Sequence, residues 1–190
     1  MSSIVPTPVS YLVLGLVARL GAATPYDLKQ SAGRSIGNFW SFPHSQLYAE
    51  PERLAEAGLL EEEREPHGRR RRTYTITEAG RRALREWLRE PVEQRAQIRD
   101  LALLKLFFGD FAQPDDVVAL AQAQSTEHRA RLEEFAAIDE RLRAVEDAAY
   151  PQATLRLGLR IERALAEFWQ EIAERPPRRT RRSQRATQRV

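Results

Sequence analysis

The sequence predicts a mainly α-helical protein that carries one small β-hairpin. Three observations lead to this fold class. Apolar residues recur at three- and four-residue steps over long segments, which is the pattern of amphipathic helices. One segment from Leu59 to Ile76 instead reads as two short strands joined around Pro66-His67-Gly68. No apolar run approaches the roughly 20 residues needed to span a bilayer.

Composition excludes several classes of function. With 190 residues the chain can hold one large domain or two small ones, and it has no cysteine. Disulfides, thiolate metal sites, cysteine nucleophiles and thiol redox sensing are therefore excluded. Residues 1–4 contain no basic segment that leads into an apolar one, so a secretory signal is not predicted. We expect a soluble cytoplasmic protein.

The net charge of +3 is unevenly distributed along the chain. Residues 1–90 carry 13 basic and 11 acidic side chains, residues 91–175 carry 11 and 16, and residues 176–190 carry 6 arginines and no acid. The high isoelectric point therefore reflects mainly the last segment, which is predicted to be disordered because it is rich in Pro, Arg, Ser and Thr. Only local basic clusters count as an argument for nucleic-acid binding.

Two helices are predicted at the start of the chain. Residues 8–20 are apolar nearly all round, which indicates a buried helix, and Gly21 ends it. Thr24 followed by Pro25 is an N-cap with proline at the first helical position, so a second, shorter helix is expected to about Ala32.

A third helix is predicted to begin near Ser41, with Pro43 in its first turn, and to stop at Gly58. Its buried stripe contains Leu47 and Leu54. At 100° per residue, the opposite side carries Ser41, Ser45, Tyr48, Ala49 and Glu52. Small polar residues thus lie at its start and glutamates toward its end, as expected of a helix that enters a DNA groove by its N-terminus. Pro51 is expected to kink this helix because it removes one backbone hydrogen bond.

The hairpin is expected to be anchored in the core by Tyr74 and Ile76, while its turn is followed by four consecutive arginines, Arg69–Arg72. Thr77 is predicted to cap a fourth helix that closes near Pro91. The inner side of that helix is expected to carry Leu84, Trp87 and Leu88.

The second half of the chain, after a polar boundary at residues 90–97, is predicted to be helical from Ile98 onward. One long helix starts at Pro114 and runs to about Ala149, and a last helix follows Pro151. These helices cannot bury all of their apolar stripes among themselves, so self-association through the final two is predicted. The predicted homodimer interface consists of Leu155, Leu159, Leu165, Phe168, Trp169 and Ile172. The predicted domains are thus 1–90 and 98–175, followed by a disordered basic tail at 176–190.

A helix with a small polar start, followed at once by an arginine-tipped hairpin, is the layout of a winged helix-turn-helix. In that fold one element enters a DNA groove while the other reaches for phosphates. About half of the wing arginines are expected to face DNA. Two alternative roles stay open: Ser41 as a helix cap without DNA contact, and Tyr48 as a residue that packs across helices. The predicted DNA-binding residues are Tyr26, Lys29, Ser41, His44, Ser45, Tyr48, Arg69, Arg70, Arg71 and Arg72.

Other functions have little support in the sequence. Trp169 is the one candidate for contact with a flat apolar effector, since aromatic-lined cavities at dimer interfaces bind such molecules; Trp87 is expected to serve in packing. The three histidines, His44, His67 and His128, lie in separate elements, and no Gly-rich phosphate loop is present. No enzymatic activity, metal or cofactor is predicted.

Several short motifs occur together over residues 10 to 172. They are Tyr11–Leu16, Tyr26–Leu28, Phe39-Trp40, Ser45–Tyr48, Leu54 with Gly58-Leu59, Tyr74–Gly80, Trp87-Leu88 and Leu103–Phe108. In this combination the chain resembles the PadR family of transcriptional regulators, in its longer subgroup with a helical, virulence-activator-like C-terminal domain. Two positions depart from the family pattern: Pro25 stands where glycine is common, and Pro51 with Ala49 shifts the proline of the third helix by two residues.

The resemblance implies a homodimer of winged helix-turn-helix domains that binds an inverted-repeat operator in double-stranded DNA, usually as a repressor. Family members respond variously to phenolic acids, drugs or unknown signals, so the identity of an effector does not carry over. An aromatic small molecule stays a candidate partner through Trp169 alone. Two alternatives stay open. One is a nonspecific architectural DNA-binding protein that depends on the arginine tail and wing. The other is a helical protein-interaction module whose wing no longer binds DNA.

Overall fold

The computed structural model describes residues 4–33, 36, 43, 45–65, 71–94 and 96–177. The chain divides after Gln94 into two compact units. Among the described residues, no helix has the length and apolarity needed to cross a membrane. The predicted tail lies almost entirely outside the described ranges.

Helix α1, Pro8–Leu20, opens the first unit. The Thr7 hydroxyl accepts a hydrogen bond from the backbone of Ser10, and the Ser10 hydroxyl accepts one from the backbone of Thr7 at 2.7 Å, so the two residues form a reciprocal cap. The predicted bounds of this helix are confirmed. Val13, Leu14 and Val17 are fully buried on it.

Helix α2, Pro25–Gly33, begins at the predicted proline. Asp27 accepts hydrogen bonds from the backbone N–H and the hydroxyl of Thr24, at 2.9 and 2.7 Å. The Thr24 hydroxyl in turn accepts from the backbone of Asp27 at 3.2 Å. Thr24 therefore caps this helix, as predicted.

Helix α3, Gln46–Glu56, starts later than the sequence indicated. Pro43 is not helical, so its predicted place in the first turn is wrong. The backbone N–H of Gln46 bonds instead to the Pro43 carbonyl at 3.0 Å, which forms a turn ahead of the helix. Pro51 is buried within α3, which continues through it to Glu56.

A three-stranded antiparallel sheet completes the wing. Strands β2, Leu60–Arg64, and β3, Arg72–Ile76, pair with Leu60 opposite Ile76 and Arg64 opposite Arg72. Strand β1, Ala22–Ala23, joins the other edge of β3. This strand was not predicted, because two alanines between helices carry no strand signal. They form a strand only because they lie beside β3 and pair with it. Tyr74 and Ile76 are buried, as predicted.

Helix α4, Glu78–Trp87, is fixed at its start by the turn that follows α3. The Thr77 hydroxyl accepts from the backbone of Gly80 and lies 2.8 Å from the Gly58 carbonyl, to which it donates. Gly58 takes a left-handed conformation with φ of 75°. A Cβ on Gly80 would lie 2.1 Å from the Leu59 carbonyl oxygen, so only glycine fits there.

The inner side of α4 differs from its prediction. Trp87 stacks on Tyr11 of α1, with ring centroids 4.6 Å apart, and remains partly exposed. Leu88 is exposed rather than buried, so that prediction is wrong. Leu88 is the C-cap residue at the end of α4, and periodicity alone does not tell how far along a helix its packing partners extend.

The described part of the second unit contains three α-helices and a short 3-10 helix, Gly109–Phe111. The α-helices are α5, Leu101–Phe107, α6, Pro114–Arg143, and α7, Ala149–Glu174. Asp100 caps α5 by accepting from two backbone N–H groups, so this helix starts after the predicted Ile98. Helix α6 ends before the predicted Ala149. Helix α7 starts two residues ahead of Pro151, where proline in a first turn is tolerated.

Helices α6 and α7 form an antiparallel hairpin. The Ser125 hydroxyl of α6 donates to the Ala166 carbonyl of α7 at 3.3 Å. Farther along, the carboxylate of Glu162 accepts from Arg131 at 3.0 Å and lies 2.6 Å from Nδ1 of His128. A polar seam therefore runs through this hairpin. Its buried apolar residues are Ala121, Phe135, Leu155, Ala166 and Trp169.

Candidate nucleic-acid interface

Six of the ten residues predicted to bind DNA are described by the structure, and all six belong to the first unit. They are Tyr26, Lys29, Ser45, Tyr48, Arg71 and Arg72. The other four, Ser41, His44, Arg69 and Arg70, lie outside the described residues.

On α2, Tyr26 and Lys29 occupy the exposed side. The opposite side buries Leu28 and Ala32 completely. Tyr26 is 60% exposed, and its hydroxyl accepts a hydrogen bond from the side chain of Gln30. Lys29 is exposed and has no ion-pair partner among the described residues. These two side chains are free to meet a phosphate.

On α3, the exposed face begins with Ser45 and Tyr48. Leu47 and Leu54 are fully buried on the other side, as the predicted stripe requires. Ser45 is the N-cap residue but makes no capping hydrogen bond through its side chain, so its hydroxyl is available. Tyr48 is 47% exposed, which favours an outward hydroxyl over close packing across helices.

The second half of α3 is acidic. Four glutamates and one arginine line a groove of about 510 Å³: Glu52 and Glu56 of α3, and Glu61, Glu62 and Arg64 of β2. Carboxylates repel phosphates, so this part of the surface is unsuited to contact with a nucleic-acid backbone. The charge distribution thus selects the start of α3 as the end that can approach DNA.

A buried polar network holds α3 against α1. The hydroxyl of Ser10, which is fully buried, donates to Glu50 at 2.5 Å and accepts from Arg53 at 2.9 Å. Arg53 also donates twice to the Glu50 carboxylate, at 2.6 and 3.0 Å. That carboxylate raises the pKa of Arg53. This network was not predicted, although a serine within an apolar helix was its signal.

The two described wing arginines have different surroundings. Arg71 is largely exposed, and its guanidinium lies 3.6 Å from the carboxylate of Asp27. Arg72 is paired more closely, at 2.7 Å from Glu52 on α3 and 3.4 Å from Glu62 on β2. The wing is thus tied to both helices of the helix-turn-helix.

Hydrogen bonds and ion pairs shift the pKa of two carboxylates here. Bonds from Thr24 hold the pKa of Asp27 below its ordinary value, with a smaller contribution from Arg71. A bond from Arg64 lowers the pKa of Glu62, and Arg72 adds to this. Both carboxylates are therefore ionised at neutral pH. Among the described residues no group of three or more acidic or histidine side chains could hold a metal ion.

Comparison with known proteins agrees with this architecture. Residues 13–86 match the PadR-like family of transcriptional regulators, and residues 98–175 match the domain described as virulence activator alpha C-term. A probable transcriptional regulator of Mycobacterium tuberculosis, Rv1176c, is 30% identical over 173 residues, which cover 80% of this chain and 89% of that protein. The chain belongs to the PadR-like family of transcriptional regulators.

Further relatives extend the comparison. The negative transcriptional regulator PadR of Bacillus subtilis is 28% identical over 138 residues, or 70% of this chain and 74% of that one. Its crystal structure with operator DNA superposes with a TM-score of 0.79 at 24% identity, covering 88% of this chain and 98% of that chain. Its structure with p-coumaric acid gives 0.73 at 24% identity, covering 89% and 97%. These likenesses show that the fold is shared.

In this PadR-like chain, the residues predicted to form a dimer interface do not all face outward. Leu155 and Trp169 are buried inside the helical unit of a single chain, and Trp169 has no exposed surface. Leu165 and Ile172 pack partly against Trp169, and Leu159 is half-buried. Of the six, Phe168 is the exposed one.

A different stripe of α7 is exposed. Leu157 and Ile161 are 56% and 46% exposed, and they lie on the same side of the helix as Phe168. The sequence pattern did not separate this stripe from the buried one, because both recur at helical spacing. The indole N–H of Trp169 is buried without a hydrogen-bond partner in the described structure, and its ring is enclosed by α5 and α6.

Proposed function

We propose that the chain is a homodimeric, sequence-specific DNA-binding repressor that reads an inverted-repeat operator. The observation that carries this proposal is the free, uncharged or basic surface at the start of α3 and on α2. Ser45, Tyr48, Tyr26 and Lys29 are all exposed there, and the carboxylates lie toward the other end of α3. In this proposal the start of α3 enters the major groove, while α2 and the wing contact phosphates.

Two properties of relatives support the finer parts. The Bacillus subtilis relative is named a negative regulator, which supports repression, and its structures with operator DNA and with p-coumaric acid support DNA and an aromatic acid as partners. We therefore infer that a small aromatic acid releases this chain from its operator. A non-enzymatic, cytoplasmic protein follows from the same role in regulating transcription.

The homodimer is supported by the exposed stripe of Leu157, Ile161 and Phe168. Three large apolar side chains exposed along one face of a helix are expected to be covered by a partner surface. A two-fold dimer would place the two α3 helices in successive major grooves, about 34 Å apart, so that the operator has matching half-sites.

DNA binding is tested by footprinting on a pool of genomic fragments, with full-length protein and with protein lacking residues 176–190. We expect a palindromic footprint that is kept when the tail is removed. Loss of all sequence preference together with loss of binding in the truncated protein would favour the architectural alternative. Absence of DNA binding even at low salt would refute the proposal.

The positioning contacts are tested with the two lysines of the chain. Lys29→Gln should weaken operator binding and reduce the slope of log K against log salt by about 0.9, the effect of one phosphate contact. Lys105→Gln, on α5 in the other unit, is the matched control and should leave the slope unchanged. Equal slopes for both variants and the parent would show that Lys29 meets no phosphate.

The dimer is tested by light scattering. Leu157→Asp combined with Ile161→Asp should reduce the particle to monomer mass, because two charges would enter the apolar contact. The control, Arg156→Asp with Arg163→Asp, adds the same side chains on another exposed side of α7 and should leave the mass unchanged. A dimeric mass for both variants would contradict the assigned interface.

The regulatory parts are tested by transcription in vitro from the footprinted promoter. The protein should lower transcript yield, and p-coumaric acid should restore it by weakening operator binding. Higher yield on adding protein would identify an activator, and unchanged operator affinity across the titration would refute p-coumaric acid as the effector.

A further inference from the structure

Four charged residues form an ion-pair cluster between α3 and the wing, here called the wing cluster. It consists of Glu52 on α3, Glu62 and Arg64 on β2, and Arg72 on β3. Arg72 lies 2.7 Å from Glu52 and 3.4 Å from Glu62, and Arg64 lies 2.6 Å from Glu62. The cluster is electrically balanced and joins three elements of the winged helix.

The sheet register explains why the cluster is needed. Arg64 and Arg72 stand directly opposite each other across β2 and β3, where two like charges repel. Glu62, two residues earlier on β2, contacts both arginines and offsets that repulsion. Its side chain is only 14% exposed, so its charge depends on these partners rather than on water.

Arg71 and Arg72 differ in which carboxylates would lose an ion-pair partner if the arginine moved to DNA. Asp27, which faces Arg71, keeps two hydrogen bonds from Thr24 when Arg71 departs. If Arg72 departed, Glu52 would lose the one partner it has among the described residues and would stand on the recognition helix as an uncompensated negative charge. Arg71 can therefore be exchanged between partners, whereas Arg72 is held in place.

We propose that Arg72 is a positioning residue of the wing rather than a phosphate contact. Through Glu52 and Glu62 it fixes the angle between the hairpin and α3, and it neutralises a carboxylate on the DNA-reading helix. Of the two wing arginines that the structure describes, Arg71 is the one left to contact the DNA backbone. This inference rests on the proposed operator binding and assigns opposite roles to two adjacent arginines.

The test compares operator affinity at several salt concentrations for Glu52→Gln, Arg72→Gln and their double variant. A positioning role predicts that each single variant binds about two- to fivefold more weakly, the range of measured surface ion pairs. The double variant should be no weaker than either single one, and the salt slope should stay that of the parent. A phosphate contact predicts a different pattern: Arg72→Gln would lower the slope by about 0.9, and Glu52→Gln would bind more tightly.

Arg71→Gln is the matched control, since it removes the neighbouring guanidinium. Arg71→Gln should lower the slope of log K against log salt by about 0.9, whether position 52 is Glu or Gln. An Arg72→Gln variant that behaves like Arg71→Gln, or an Glu52→Gln variant that gains affinity, would overturn the proposal.

A second measurement needs no DNA, so that failure of operator binding is distinguishable from failure of this inference. Hydrogen exchange of the Glu65 amide, which bonds to the Arg71 carbonyl at 3.1 Å, reports on the end of the hairpin. Glu52→Gln and Arg72→Gln should both accelerate it, and Arg71→Gln should not. Unchanged exchange in the first two variants would refute the positioning role, whatever the DNA result.

Discussion

The winged-helix unit has a core of fully buried aliphatic side chains, whereas the helical unit leaves more of its large apolar side chains exposed. In the first unit Val13, Leu14, Leu28, Leu47 and Leu54 have no exposed surface. In the second, the exposed apolar residues include Leu101, Leu104, Phe107, Phe108, Phe111, Leu157 and Ile161. Short helices packed around a small sheet close a core on themselves, whereas two long helices packed as a hairpin cover only one side of each other.

Charged side chains join separate elements in both units. In the winged helix the ion pair of Arg72 with Glu52 joins β3 to α3, and a hydrogen bond from Arg53 to Ser10 joins α3 to α1. In the helical unit the buried pairing of Glu162 with His128 and Arg131 stays within the α6–α7 hairpin. In the first unit these contacts connect α3 to the sheet and to α1, whereas in the second they connect two long helices.

The largest expected effect comes from the core of the helical unit. Trp169→Ala should destabilise that unit by about 3–5 kcal/mol, because it opens a cavity where α5, α6 and α7 meet. Hydrogen exchange should rise in α6 and α7 and remain unchanged in α1 and α3. Tyr150→Ala, which removes an exposed ring from the same helix, is the control and should have little effect. Equal loss of hydrogen-exchange protection in both units would show that the winged helix also depends on the packing of Trp169.

A smaller loss is expected from the close packing in the winged helix. Gly80→Ala should cost about 1–3 kcal/mol, since the new Cβ would meet the Leu59 carbonyl and force α4 away from the turn after α3. Gly15→Ala is the matched control: no atom lies within 4 Å of its added Cβ, and it should stabilise α1 by about 0.5–1 kcal/mol. Urea denaturation gives the free energy of unfolding of both variants. An unchanged value for Gly80→Ala would show that the backbone at Leu59 can move to accommodate the added Cβ.

The smallest effect expected is a pH dependence in the winged helix. Because the native pKa of Asp27 is lowered, its contribution to stability is complete above its ordinary pKa of 3.8 and is lost as pH falls through the lowered value. Asp27→Asn should therefore flatten the acid side of the stability curve, measured by urea denaturation at a series of pH values. Asp115→Asn, at the start of α6, is the control. If stability falls as steeply with decreasing pH in Asp27→Asn as in the parent, this carboxylate does not contribute to the pH dependence.

Local signals in the sequence predicted much of the fold. Thr24, Pro25 and Thr77 act through neighbours two or three positions away, so the starts of α2 and α4 could be read directly. The alternation in β3 likewise placed Tyr74 and Ile76 in the core. The start of α3 was misplaced because Pro43 suits a first helical turn and a preceding turn equally well.

The candidate site was predictable as a region but not residue by residue. The helical period, with apolar residues buried on one side, accounts for an exposed side that carries Tyr26, Lys29, Ser45 and Tyr48. The pairing of Arg72 with Glu52 joins residues twenty positions apart, and no local pattern distinguishes Arg72 from Arg71. On α7, the period of 3.6 residues gives two apolar stripes, and sequence alone did not tell the buried Trp169 from the exposed Ile161.

The sequence by itself determined a winged helix followed by long helices and the absence of cysteine chemistry, because composition, caps and periodicity are encoded locally. Its combination of short motifs gave the resemblance to the PadR family. The tertiary structure decided which side of each element is free. It placed β1 beside β3, made glycine the residue that fits at position 80, paired Arg72 with carboxylates, and turned Trp169 inward. These outcomes depend on which distant elements meet, since burial and ion pairing are properties of contacts between elements rather than of any one segment.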